Sequence, residues 1–112
     1  MEVFAKSKYL RVAPIKARAV GRSIKGLGVE SALATLEFLP HRSAPMIARV
    51  LKSAVSNAEN NYGLDPLRLY VSRIHVDEGP RLKRMRAKAR GRAGFYVRRM
   101  SHVTIVLDER VA

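Results

Sequence analysis

Nine basic residues and no acidic one fall between Gly79 and Leu107: Arg81, Lys83, Arg84, Arg86, Lys88, Arg90, Arg92, Arg98 and Arg99. Asp77-Glu78 and Asp108-Glu109 bracket the stretch on either side. Like charges at this density repel one another in any compact arrangement, so the stretch is a poor core component and calls for a polyanionic partner. A solvated charged face is the ordinary alternative, but nine like charges without one counter-charge would repel strongly there too. Residues 81–94 otherwise offer a core only Leu82, Met85, three alanines and two glycines.

The rest of the chain is close to ordinary. Of 22 Lys and Arg against 9 Asp and Glu overall, a net of +13, the residues outside the stretch keep 13 basic and 9 acidic, a net of only +4. Two regions with different roles follow: a globular body and a basic extension. A length of 112 residues suits a single domain, 1–112, with about 79–101 as the extension. Hydrophobic residues make up 47% of the chain, enough for one modest core and too many for a disordered tail. Nucleic acid is the leading partner and an acidic membrane surface the second. No segment reaches the roughly 18–20 uninterrupted apolar residues of a membrane-spanning helix. The opening Met1-Glu2-Val3-Phe4-Ala5-Lys6 has neither an apolar h-region nor an Arg/Ser-rich transit pattern. Zero cysteines exclude disulfides and thiolate metal sites and are compatible with a reducing cytosol. The expectation is a cytoplasmic protein without a cofactor.

Residues Val3 to Val12 place Lys6 and Lys8 on one face of an edge-type strand. Pro14 suits the first turn of a helix running to about Lys25, with Gly26 and Gly28 as its stop and Ile15, Ala19, Val20 and Ile24 toward the core. Arg18, Arg22 and Lys25 then form a basic stripe, either laid along a phosphate backbone or simply solvated. A second helix spans about Val29 to Leu39, with Val29, Ala32, Leu33 and Leu36 at helical spacing and Pro40 as its stop. Ser43 is the expected N-cap of a third and longest helix, with Ile47, Val50, Leu51, Ala54 and Ala58 as its apolar stripe. Asn60-Asn61-Tyr62-Gly63 closes that helix, and Asn57, Asn60 and Asn61 suit either RNA contacts or helix capping.

Leu67 to Val76 reads as a strand whose imperfect alternation points to a bulge, and Val103, Ile105 and Leu107 mark a second strand. Between them the chain must leave the body and return. Arg90-Gly91-Arg92-Ala93-Gly94 is a natural turning point, so an antiparallel hairpin reaching on the order of 30 Å is the economical arrangement. Gly91 and Gly94 serve either an ordinary turn or a close approach to RNA. An isolated hairpin is marginal in water, so this arm is expected to be mobile when free and ordered by its partner.

Four motifs stand in order: Val76-Asp77-Glu78-Gly79-Pro80, Lys83-Arg84, Lys88-Ala89-Arg90-Gly91-Arg92-Ala93 and Ser101-His102-Val103-Thr104-Ile105. Together they resemble the L-twenty-two family of large-subunit ribosomal proteins. Arg11-Val12-Ala13-Pro14-Ile15-Lys16-Ala17-Arg18 resembles the start of the family's first helix. Ser53-Ala54-Val55-Ser56-Asn57-Ala58-Glu59-Asn60-Asn61 resembles its Asn-rich third-helix end. The likeness covers essentially the whole chain. It implies an α+β body of three helices packed on a small three-stranded antiparallel sheet, with a long basic β-hairpin extension. It further implies binding to large-subunit ribosomal RNA during assembly, neighbouring ribosomal proteins as partners, and a hairpin lining the nascent-peptide exit tunnel. In that family the tip sits near the constriction, opposite the ribosomal protein L-four, and tip changes can alter macrolide sensitivity. The tip residues here are Arg86, Ala87, Lys88, Ala89, Arg90, Gly91 and Arg92.

There are departures. Ala13 stands where the family usually has Ser, removing an N-cap oxygen, and Ile15 replaces a common Arg. Ala87 and Lys88 stand where Pro-Arg is usual, which alters the stiffness of the tip, while Arg81 and Arg86 add charge. The expected RNA contacts are Lys8, Arg11, Lys16, Arg18, Arg22, Lys25, Asn57, Asn60, Asn61, Lys83, Arg84, Arg86, Lys88, Arg90, Arg92, Arg98, Arg99, Ser101 and His102. Arginine suits this work because its planar fork binds phosphate bidentately and stacks on bases.

Catalytic and metal readings find little support. His41, His75 and His102 are scattered and lack metal-ligand spacing. Asp77 and Glu78 are adjacent, and adjacent strand residues point to opposite faces, so they do not converge on a substrate. No GxSxG elbow or phosphate-binding loop is present. The competing readings are an architectural DNA-binding protein or free nucleic-acid chaperone, which would prefer duplex DNA and often dimerise, and a small RNA-processing enzyme depending on His75 or His102. The ribosomal reading expects no homo-oligomer.

Overall fold

The computed structural model describes residues 2–87, 91 and 93–110. The chain runs β1 (Val3–Leu10), α1 (Pro14–Ile24), α2 (Val29–Phe38), α3 (Ser43–Tyr62), a short 3-10 turn (Pro66–Arg68), β2 (Leu69–Ala87) and β3 (Ala93–Glu109). The three strands form one antiparallel sheet in the order β1-β3-β2. The α+β arrangement of three helices on a three-stranded sheet is therefore as expected, and β1 is the edge strand that its lysines suggested.

Strand periodicity decides which face is buried. Val3 and Ala5 on β1 lie opposite Leu107 and Ile105 on β3, which lie opposite Val71 and Ile74 on β2. These side chains share one face, and the helices cover it: α1 packs on β2, α3 on β1 and β3. Ile24, Ile47, Leu51, Leu69, Ile105 and Leu107 are fully buried there. Each contributes about 1.5–3 kcal/mol by leaving water. The stripe expected on α3 (Ile47, Val50, Leu51, Ala54, Ala58) is buried in full.

The buried face of α1 differs from expectation. Pro14, Ala17, Val20, Gly21 and Ile24 point inward, whereas Ile15 is 68% exposed and Ala19 only partly covered. The reason is Gly21, where a Cβ would lie 3.1 Å from Cδ1 of Ile74. The helix approaches the sheet through this gap, which turns Ile15 out to solvent. After Gly26, held at φ 83°, the α1–α2 connection bonds to the outer edge of β2 through Gly26 N–H to Val71 O and Val71 N–H to Leu27 O.

Ser43 is not an N-cap. Arg42 before it is already helical (φ −60°, ψ −30°), so Ser43 lies inside the first turn, and its buried hydroxyl has no partner among the described residues. A cap oxygen must come from an extended residue to reach the free N–H groups, and that geometry is lost here. At the other end Gly63 adopts the left-handed conformation, and the N–H groups of Gly63 and Leu64 close the helix on Glu59 O and Ala58 O.

Two strand limits also shift. β1 stops at Leu10 rather than Val12, because Tyr9 takes φ 61° and breaks the register between Ser7 and Leu10. β2 begins at Leu69 rather than Leu67, because the Asp65 carboxylate accepts from Leu67 N–H and winds Pro66–Arg68 into a turn. The irregularity expected in β2 falls between Val71 and Arg73, and a second lies between Glu78 and Arg81. Beyond that second shift β2 and β3 continue together out of the body. The Cα radius of gyration is 17.0 Å and the extents are 65 × 25 × 17 Å. A compact chain of this length would have a radius of about 13 Å.

Candidate nucleic-acid interface

The extension is a two-stranded ladder that pairs Arg81 through Ala87 with Ala93 through Arg99. At about 3.3 Å per residue the described ladder spans roughly 20 Å. Its base is a bulge in which Gly79 and Pro80 face the single residue Met100. Glycine suits this position, because a Cβ would lie 3.1 Å from both the carbonyl carbon and oxygen of Met100, and backbone yields less readily than a side chain. Pro80 has no N–H to leave unpaired, which suits the extra residue of a bulge. The sequence thus ends the body and starts the arm with two residues.

Along the ladder Arg81 faces Arg99, Leu82 faces Arg98 and Lys83 faces Val97. The four cations are exposed. Arg84 lies opposite Tyr96 and Arg86 opposite Gly94 in the register, but their side chains are outside the described set. Lys88, Ala89, Arg90 and Arg92, most of the expected tip, lie outside the described residues altogether. Gly91 has φ 73°, a conformation that favours glycine.

On the body, Lys8, Arg11, Lys16, Arg22, Lys25, Asn60 and Asn61 are exposed. Four other expected contacts are engaged within the chain. Arg18 donates from Nε and Nη2 to Val76 O (3.2 and 2.9 Å), anchoring α1 to the outer edge of β2. Asn57 donates to Phe4 O at 3.3 Å, covering the open edge of β1. His102 accepts from Tyr9 N–H at Nδ1 (3.1 Å), with the two rings edge to face at 5.0 Å. Ser101 is fully buried, and its hydroxyl donates to Val12 O at 2.6 Å. It is an internal tie and presents no surface to RNA.

The structure also brings together cations that are distant in the sequence. Lys6 and Arg49 line a groove of about 270 Å³ between β1 and α3, beside Ser7, Leu10, Met46 and Ser53. These residues are more than forty positions apart, so no local spacing announces them. Arg110 lies 5.1 Å above the Tyr70 ring and donates to Gly26 O, tying the end of β3 to the α1–α2 connection. Arg73 pairs with Glu2 at 2.6 Å.

The two carboxylates considered as an acid/base pair do not converge. Asp77 lies opposite His102 and Glu78 opposite Ser101, so the two carboxylates fall on opposite sheet faces. No group of three metal-ligating side chains occurs among the described residues, and no helix among them is long and apolar enough to cross a membrane.

The chain is similar in sequence to known proteins. Residues 5–108 match the family described as Ribosomal protein L22p/L17e. The chain is 54% identical over 109 residues to the large ribosomal subunit protein uL22 of Thermomicrobium roseum, covering 97% of this chain and 92% of that one. It is 48% identical over 110 residues to the uL22 of Syntrophomonas wolfei, covering 98% and 97%. With the uL22 of a Thermotoga species it shares 47% over 110 residues, covering 98% and 69%. A match over nearly the full length, on a body-and-arm fold whose arm is the most basic part, means that the chain belongs to the Ribosomal protein L22p/L17e family.

Proposed function

We propose that the chain is a structural constituent of the large ribosomal subunit, binds large-subunit ribosomal RNA during assembly, and sends its arm inward to line the nascent-peptide exit tunnel. The family is structural rather than enzymatic, so no turnover is expected. The observation that carries the reading is the arm. Among the described residues, no residue buried in the core lies between Val76 and Ser101, while cations stand along both strands. Such an element gains nothing by projecting into water, but it gains charge neutralisation at every phosphate it meets. The body would contribute Lys8, Arg11, Lys16, Arg22 and Lys25 to the same RNA. Neighbouring ribosomal proteins and the growing peptide complete the set of partners, in a cytoplasmic ribosome.

Sedimentation of a native-source lysate through a high-salt sucrose gradient tests this. Co-migration with the large subunit that survives the salt wash is the expected result. A chain that stays near the top even at low salt would overturn the ribosomal role and leave a free nucleic-acid chaperone as the better description.

A further inference from the structure

We propose that Arg81 and Arg99 form a two-guanidinium clamp that holds a single RNA phosphate at the neck of the arm. The inference deepens the ribosomal RNA-binding reading and rests on it. Directly opposed residues of an antiparallel pair project from the same face, with Cβ atoms about 4.5–5.5 Å apart. Arg81 and Arg99 are such a pair. Like charges set opposite each other are destabilising in the free protein. The one carboxylate that reaches the pair among the described residues is Glu78, 3.7 Å from Arg81 Nη2. Both partners are more than half exposed (56% and 58%), so water screens that contact and it neutralises little.

The opposition is imposed by backbone geometry. The bulge of Gly79 and Pro80 against Met100 sets the register beyond it, which brings Arg81 opposite Arg99. Two internal bonds fasten the body where the arm leaves it. Ser101, two residues from Arg99 along β3, fastens the loop that carries Arg11 through its bond to Val12 O. Arg18 is fixed on Val76 O, two residues before Glu78. Arg81 and Arg99 are both exposed where the arm leaves the body. A phosphodiester presents two non-bridging oxygens that share one negative charge, and each can accept a charge-assisted hydrogen bond from one of the two planar forks.

The test uses the full chain, its Arg81→Gln, Arg99→Gln and double variants, and Arg73→Gln, which removes one charge from the body. Each is titrated against a bacterial large-subunit ribosomal RNA transcript over a range of salt. Each neck variant should bind about tenfold more weakly, the loss typical of a charge-assisted bond. The slope of log affinity against log salt should stay near the parent's in either single variant, because the remaining guanidinium still neutralises the phosphate, and fall by about 0.7–0.9 only in the double variant. The fall in slope in the double variant should therefore exceed the sum of the two single falls, because both arginines hold the same phosphate. Additive falls in slope, or an equal loss of affinity in Arg73→Gln, would overturn the clamp in favour of diffuse charge attraction. Neck variants that bind like the parent would also overturn it, while leaving the ribosomal reading intact. Failure of the parent chain to bind the transcript would sink the broader reading itself.

Discussion

The hydroxyl of Ser101 meets the carbonyl of Val12 where β3 passes beneath the loop between β1 and α1. Replacing it with alanine leaves that carbonyl buried and unpaired, so Ser101→Ala should lower stability by about 1–3 kcal/mol. Denaturant unfolding measures this directly. The folded variant should bind RNA as the parent does, since the residue has no exposed surface. Gly79 carries a different demand. A Cβ there meets Met100 backbone at 3.1 Å, and relieving the clash means shifting β3. Gly79→Ala should therefore cost roughly 1–3 kcal/mol, the usual penalty for overpacking. A thermal-unfolding midpoint equal to the parent's would show that the bulge relaxes freely. Both positions lie in motifs visible in the sequence, yet Ser101 is expected there as an RNA contact. A hydroxyl's role depends on which carbonyl the fold delivers to it, here one 89 positions away.

At the scale of elements, α3 was the most legible in the sequence, because a 20-residue helix repeats its apolar spacing several times and its end carries a glycine. The shorter α1 was legible in extent but misread in orientation, since eleven residues allow two neighbouring stripes and Gly21 selects between them. The strands were legible as hydrophobic alternation and illegible at their limits, where Tyr9 and Asp65 redirect the backbone. The arm is separable from the body in energetic terms. Removing Lys83 through Arg98 takes away none of the buried core among the described residues, so the remaining body should keep its helical circular dichroism. Loss of that signal would show that the arm supports the core.

For the whole molecule, the division between body and arm sets how binding responds to salt. The same deletion removes seven cations, Lys83, Arg84, Arg86, Lys88, Arg90, Arg92 and Arg98. Every phosphate that these side chains neutralise adds about 0.7–0.9 to the salt slope, so the shortened chain should bind more weakly and much less salt-dependently. An unchanged slope in filter-binding or anisotropy titrations would mean that the body alone neutralises the phosphates and that the arm has another role.

Local chemistry by itself determined a great deal here: three helices, a strand at each end of the body, and a basic segment unable to join a core. These follow from period, turn residues and charge density, which act between near neighbours in the chain. Only the tertiary structure decided the strand order, the face that α1 buries, and the internal use of Arg18, Asn57 and His102. It alone set Arg81 opposite Arg99. Each of these depends on backbone groups from distant segments meeting in space, and side-chain type alone does not say which carbonyl, edge or facing charge a residue will find.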